Sequence, residues 1–342
     1  MKAMLFYGPE DLRFQEVPIP KISSDEVLVK IDTALTGGTD LKTYLRGHPR
    51  IIKSLPSSFG YEFSGIVAES LNQNFANGDR VVAGNTAPCF SCFFCLRSEF
   101  ELCENLEFLN GSFAEYIKIP AQIAKHNLYK IPTETSFEAA ACTQTLAVVL
   151  HGFYKSQIKN HKNVLIFGLG AIGQTFIKTY KTLAPETKIF ALGKSKLKTK
   201  LAYDNGADYV LDYSDTDIVQ QIKSLTDGHG VDLVIEAVGK PETWEKSLSL
   251  VRPGGVINFF GGCPQNTKIN LDTFQAHYQE LTTVGVFHHT PYYMKTALDM
   301  IASKKISMTN LITHNFNLCD LEQALQLGIN GEAIKICIKP QA

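Results

Sequence analysis

The sequence predicts an α/β protein made of an all-β domain and a doubly wound parallel sheet, and three observations carry that prediction. Before Pro120, β-branched runs bounded by Gly, Asp and Ser dominate. From Val164 onward, short apolar runs alternate with longer stretches of helical period, the pattern of a parallel sheet covered by helices on both faces. Between the first such run and the first such helix stands a glycine turn, Gly168-Leu169-Gly170-Ala171-Ile172-Gly173.

Taken in order, Glu26–Ile31 and Ser64–Glu69 read as strands, and Gly78–Gly84 as a turn feeding a third. Regularity is lost over 85–111 and returns at Phe113–Ile119, which Pro120 closes. Thr135-Ser136-Phe137-Glu138 fits a capping box that opens one buried helix from Ala139 to Phe153. Val164–Phe167, Ile189–Leu192, Tyr209–Leu211, Val231–Ile235 and Gly255–Phe260 follow as strands, with a helix over 172–183 that is apolar at Ile172, Phe176, Ile177 and Tyr180. The tail carries helices at Met294–Ile301 and Leu321–Leu327 and a last strand at Ile334–Ile338. The pattern places one domain at 1–143 with 286–342 and inserts a dinucleotide-type domain, 144–285, with a cleft expected between them.

Composition narrows the function classes. Lysine plus arginine is 33 against 34 acids, a formal charge of −1, so a nucleic-acid or membrane-surface partner is not expected. At 44% hydrophobic residues over 342 positions, two cores can be buried, and no apolar run reaches transmembrane length. The opening Met1–Tyr7 is broken too soon by Gly8-Pro9-Glu10 for a signal peptide. Four of the eight cysteines crowd into 89–103, a metal-like spacing rather than a disulfide framework. A reduced, cytoplasmic protein acting on a small molecule is the expectation.

The glycine turn has the spacing that binds a dinucleotide: Gly168 makes the turn, Gly170 admits a pyrophosphate, and Gly173 lets helix pack on strand while the helix N-terminus, at Ala171 and Ile172, faces the anion. NAD sites place a carboxylate about 20 residues on, against the ribose hydroxyl. Here Gly193 stands in that place, followed by Lys194-Ser195-Lys196-Leu197-Lys198. Glycine leaves room for a 2′-phosphate that lysines and a serine hydroxyl can hold, which favours NADP(H) over NAD(H). The same lysines also suit a plain solvated helix face.

Cys89, Cys92, Cys95 and Cys103 can close a tetrahedral shell around one structural Zn2+ with no position left for substrate. A four-cysteine iron–sulfur cluster or unrelated thiols are the other readings. Cys142, Cys263, Cys319 and Cys337 read as inert core thiols.

Together these features resemble the zinc-containing medium-chain dehydrogenase/reductase family, whose members pair a GroES-like β-domain with a Rossmann domain inserted before a C-terminal return. The resemblance spans essentially the whole chain. Gly37-Gly38-Thr39-Asp40 is similar to the family's Cys-Gly-Thr-Asp, Gly60-Tyr61-Glu62-Phe63-Ser64-Gly65 to its Gly-His-Glu-x-x-Gly, and Gly78-Asp79-Arg80-Val81 to its Gly-Asp-Arg-Val turn. Gln144-Thr145-Leu146-Ala147 is similar to the Glu-Pro-Leu-Ala of the polyol and threonine dehydrogenase branches. By the same resemblance Lys335 falls where a basic residue meets cofactor phosphate, and Tyr213 where some NADP users pack a ring near adenine. A homodimer or homotetramer paired through the cofactor domain is implied, with Thr282–Phe287 a candidate contact.

The family's catalytic zinc ligands fall at Gly37, Tyr61 and Gln144, none of which is a strong donor. Of the usual set only Glu62, an auxiliary ligand in relatives, is present. A site moved to Cys142, His48 or His151 is the remaining metal option. Without zinc, hydrogen-bond donors must stabilise the oxyanion: Thr39 and Tyr61 are the candidates, with Lys42 expected to lower the phenol's pKa. Such a site suits aldehydes, activated ketones or α,β-unsaturated carbonyls. Three readings follow: an NADP(H) oxidoreductase with a structural zinc and no catalytic one, a non-catalytic nucleotide-binding sensor, or a zinc polyol dehydrogenase with atypical ligands. His48, Arg50 and Asn85 are candidates for a polar cleft wall.

Overall fold

The computed structural model describes residues 1–157 and 160–342. The chain divides into two compact units, Met1–Ala147 with His289–Ala342, and Val148–His288. Among the described residues no helix is long and apolar enough to cross a membrane.

The first unit is organised on the strand Val27–Leu35, whose Val27, Val29 and Ile31 are fully buried. It pairs antiparallel with Glu62–Ser70, Tyr116–Ile119 and the last strand, Lys335–Lys339. That last strand also runs parallel to Ile312–Asn317, so the C-terminal tail completes the first sheet. Two irregularities interrupt the Val27–Leu35/Glu62–Ser70 pairing, at Leu28/Val29 and Ile31/Thr33, before the strand leads on to Gly37. A hairpin of Lys2–Gly8 and Asp11–Glu16 opens the chain. Its second strand has only Leu12 buried and gives no apolar run in the sequence. The helix Gly38–Arg46 is likewise unmarked in the sequence, its first turn beginning in glycine.

Two expectations need correction here. The N-cap near 135 is Ser136, whose side chain accepts from the Ala139 N–H, and the single helix is two, Phe137–Ala141 and Thr143–Ser156. The break falls at Cys142, whose N–H bonds three residues back to the Ala139 carbonyl, a 3₁₀-like tightening that ends the first helix.

The second unit is a six-stranded, wholly parallel sheet in the order Tyr209–Leu211, Lys188–Leu192, Asn163–Phe167, Val231–Glu236, Val251–Phe259, Thr282–Gly285. Its first strand in sequence lies third in the sheet, so the winding reverses between Asn163–Phe167 and Val231–Glu236. In such doubly wound sheets, ligands bind outside the carboxyl ends of the strands at that reversal, which is where the glycine turn follows Phe167. Thr282–Gly285, read from sequence only as an apolar stretch, is one of the two edge strands. Core clusters on both faces, one around Phe176 and Tyr180 and one around Phe190 and Leu248, hold helices to the sheet.

Candidate active site and metal centre

Residues 85–111 have little core of their own. Buried Cys92, Cys95 and Cys103 cluster with half-buried Cys89, Phe94, Phe100 and Leu106. The four sulfurs all lie within 4.8 Å of one another. The Cys89 N–H donates to Cys103 Sγ at 3.2 Å, and the Ser91 hydroxyl donates to Cys89 Sγ at 3.5 Å. That hydroxyl, with backbone N–H groups, pulls Cys89 down to about 5, while burial pushes Cys95 up to about 12. Among the described residues this is the one group of three or more His, Cys, Asp or Glu side chains placed to hold an ion, and Cys142, His48 and His151 do not join another. Four convergent sulfurs could hold zinc, whose bonds would supply the rigidity the apolar contacts do not.

At the glycine turn Gly168 has φ +102°, and a Cβ there would lie 2.7 Å from Val238 Cγ2. A Cβ on Gly173 would lie 1.9 Å from the Gly168 carbonyl oxygen, so only glycine lets the helix Ala171–Leu183 come this close. Gly170 faces open space and caps that helix without a side-chain bond, leaving the N–H groups of Ala171, Ile172 and Gly173 without a side-chain cap. Fully buried Gln174, which sequence reading missed, donates to the carbonyls of Leu169 and Lys198 and so ties the turn to the next helix.

Position 193 is not the open space that the sequence suggested. A Cβ there would lie 2.8 Å from Leu169 Cδ1, so a carboxylate side chain is disfavoured by packing as well as absent. Beyond it, Lys194 Nζ lies 4.1 Å from the centre of the half-exposed Tyr213 ring. Ser195 caps the helix Lys196–Asp204 without a side-chain hydrogen bond, which leaves its hydroxyl and the exposed Lys196 beside Lys194.

The third cluster lies where Val27–Leu35 runs into the helix Gly38–Arg46. Gly37 is the N-cap, and its N–H donates to Asp40 Oδ2 at 2.7 Å, so Asp40 is first a capping residue. A Cβ on Gly37 would lie 2.9 Å from Glu62 Oε1, 3.1 Å from Tyr61 Oη and 3.5 Å from Asp40 Oδ2. Three oxygens thus fill the space a larger residue 37 would need. Glu62 Oε2 accepts from Lys335 Nζ at 2.6 Å and from Thr145 Oγ1 at 2.9 Å, and Lys335 also donates to the Thr36 carbonyl at 3.3 Å. Lys335 reaches this place because the C-terminal strand runs beside Thr36 and Leu35.

Two expected roles change on this geometry. Lys335 is 1% exposed and bound to Glu62, so it leaves the cofactor-phosphate set and becomes the counter-charge of a buried carboxylate. Tyr61 is pushed well above the ordinary phenol value by burial, then by Asp40 and Glu62, with only its hydrogen bond to Thr39 opposing. Half-buried Lys42 is not among its causes and does not activate it. Burial, assisted by Glu62, pushes Asp40 up to about 8, against the Gly37 N–H and Lys335. The sequence signal for Asp40 is its place three residues after the N-cap Gly37. Asn85 is taken by His289, whose Nε2 lies 3.0 Å from its Oδ1, and so is not a free cleft group.

Residues 171–303 match the model of the zinc-binding dehydrogenase family and residues 23–133 that of the alcohol dehydrogenase GroES-like domain. The chain belongs to the zinc-binding dehydrogenase family. This dehydrogenase is 30% identical over 351 residues to sorbitol dehydrogenase of Bombyx mori, covering 99% of its own chain and 98% of the relative. It is 29% identical over 360 residues to erythritol/L-threitol dehydrogenase of Mycolicibacterium smegmatis, covering 99% and 98%. It superposes with a TM-score of 0.90 on a zinc-binding dehydrogenase from Sinorhizobium meliloti 1021 solved with NADP, at 28% identity over 99% of both chains. By family, the dehydrogenase is an oxidoreductase with an α/β fold of GroES-like and Rossmann type.

Proposed function

We propose that this dehydrogenase moves hydride between NADP(H) and the carbonyl or alcohol carbon of a small molecule, with one structural zinc and no metal at the reacting oxygen. The observation that carries the reading is the occupancy of the space at Gly37 by oxygens of Glu62, Tyr61 and Asp40, with Glu62 already neutralised by Lys335. The donor set does not fit a catalytic zinc. Glycine offers no ligand atom, Tyr61 keeps its proton, Gln144 has a neutral amide, and the one charged oxygen donor has a buried ammonium as partner.

NADPH, when bound, supplies the hydride. The chain's own residues handle the oxygen on which negative charge develops. Tyr61 retains its phenolic proton through the neutral range, so it acts as a hydrogen-bond donor and not as a base. Thr39, bonded to Tyr61, fixes that donor's direction; their mutual bond uses one of the two hydroxyl protons, so the pair offers one to the reacting oxygen. Lys335 holds Glu62 in an ion pair, so its carboxylate does not compete for the phenol as an uncompensated charge. A hydroxyl proton polarises a carbonyl less than a metal ion does, which favours aldehydes and activated ketones. Gly168, Gly170 and Gly173 admit the pyrophosphate at Ala171 and Ile172, and Lys194, Ser195 and Lys196 suit a 2′-phosphate beside the Tyr213 ring. Assembly as a dimer or tetramer belongs to the same proposal.

The test is an NADPH-linked turnover screen over aldehydes and ketones, run with elemental analysis. One zinc per chain and at least tenfold lower turnover in Tyr61→Phe at unaltered NADPH affinity support the reading. Two zincs per chain, or unaltered turnover in Tyr61→Phe, overturn it, and NADPH binding without any turnover points to the sensor function.

A further inference from the structure

Between Asp40 and Glu62 the chain carries Lys42, Arg46, His48, Arg50 and Lys53 and no acidic residue, in a protein whose overall charge is −1. The segment is ordered by its own backbone. Gly47 ends the helix Gly38–Arg46 with its N–H on the Thr43 carbonyl, and the N–H groups of Ile51 and Ile52 both donate to the His48 carbonyl, at 3.2 and 2.9 Å. The Arg50 N–H donates to His48 Nδ1 at 3.3 Å, which leaves Nε2 as the ring's remaining N–H donor. Burial, Arg50 and Arg46 together push His48 below its ordinary value, the response of a group held among cations.

The helix relates this charge to the reacting oxygen. Thr39, Lys42 and Arg46 stand at i, i+3 and i+7, one face of a helix, while buried Asp40, Thr43 and Tyr44 take the other. At 1.5 Å per residue, Lys42 and Arg46 lie about 4.5 and 10.5 Å along the axis from Thr39. Helical side chains lean toward the N-terminus, so the Arg46 guanidinium can reach back across that interval toward Thr39, as a phosphate only a few bonds from the carbonyl of a short sugar would need. Arginine forks at 46 and 50 suit a phosphate's oxygens in a way that a single carboxylate would not need.

We propose that the substrate of this dehydrogenase is phosphorylated, a ketose or aldose phosphate of four to six carbons, with its carbonyl at Thr39 and Tyr61 and its phosphate on the basic segment 42–53 at Arg46 and Arg50. The α-hydroxyl of such a sugar activates its carbonyl toward hydride, as a site that relies on a hydroxyl donor in place of a metal requires. The inference deepens the proposed function and rests on its placement of the reacting oxygen.

The experiment compares a ketopentose 5-phosphate with the unphosphorylated ketopentose under NADPH, in the wild type and in the Arg46→Gln/Arg50→Gln double variant, and measures inorganic phosphate binding to both proteins by calorimetry. The expected result is at least tenfold higher kcat/KM for the phosphorylated sugar. In the variant that preference falls at least tenfold through KM, and phosphate binding is lost. Equal kcat/KM for the two sugars overturns the proposal, as does a variant that loses NADPH affinity instead, since the segment would then serve the cofactor's phosphates. Should neither sugar turn over, the proposed reaction fails separately and phosphate binding decides alone. Loss in the variant then supports the anion site, and equal binding or none in both proteins overturns it.

Discussion

The cysteine lobe and the pocket at Gly37 both gather polar atoms around a point, but the charge they leave there is different. In the lobe four sulfurs lie within 4.8 Å of one another with only a few half-buried apolar residues beside them. At Gly37 the oxygens of Glu62, Tyr61 and Asp40 converge inside a packed sheet, and the Lys335 ammonium sits 2.6 Å from the carboxylate. The first arrangement would gain stability by taking up a cation from outside. The second has its cation built into the chain, so an external ion would have to displace an ion pair that is already desolvated. Family membership alone does not tell the two apart; the partners of each donor atom do.

The sharpest way to break this contrast is to remove the lobe's ion. If the four sulfurs hold zinc as proposed, chelation or Cys103→Ser should release it and open residues 85–111 to proteolysis, because structural zinc binding is worth on the order of 10 kcal/mol to small domains. A second zinc that resists chelation would mean that the pocket is metal-loaded after all. Next in size is Lys335→Met, which leaves Glu62 buried without its counter-charge and should cost about 3–5 kcal/mol in urea unfolding. Adding Glu62→Gln should recover part of that loss, and a neutral Lys335→Met would show that the ammonium is not the pocket's cation.

A smaller effect tests the packing. Gly37→Ala places a Cβ 2.9 Å from Glu62 Oε1 and should destabilise by about 1–3 kcal/mol, whereas a Cβ on neighbouring Gly38 meets nothing within 4 Å, so Gly38→Ala should not destabilise comparably. Equal effects at the two glycines would remove the steric part of the contrast. The smallest effect is in pH dependence. Asp40 rises from 3.8 to about 8 on folding, so between those values the folded chain binds more protons than the unfolded one. Stability should therefore decline as pH rises across that window, by up to about 1.4 kcal/mol per unit, and level off above it. Asp40→Asn should flatten that slope relative to the wild type in thermal unfolding followed between pH 5 and 9.

Legibility in the sequence was uneven for definite reasons. The strands of the parallel sheet were readable because fully buried strands are continuous apolar runs, as at Val164–Phe167. The hairpin Lys2–Gly8/Asp11–Glu16 was not, since its second strand has only Leu12 buried, its consecutive Arg13 and Phe14 are both exposed, and it shows neither an apolar run nor a clean alternation. Among site residues, the cysteines and turn glycines declare themselves by spacing along one segment. Lys335 could not, because it is 273 residues from Glu62 and meets it only when the tail joins the first sheet.

By itself the sequence determined the two-part α/β architecture, the glycine turn, the four-sulfur group and the absence of strong ligands at residues 37, 61 and 144, all features written in local order and residue type. Tertiary structure alone decided that Lys335 neutralises Glu62, that Asp40 keeps a proton, that Leu169 crowds the space at Gly193, and that Tyr61 is held well above the ordinary phenol value. The reason is that charge state depends on desolvation and on neighbours within a few ångströms. In a sheet closed by its own C-terminus, those neighbours come from opposite ends of the chain.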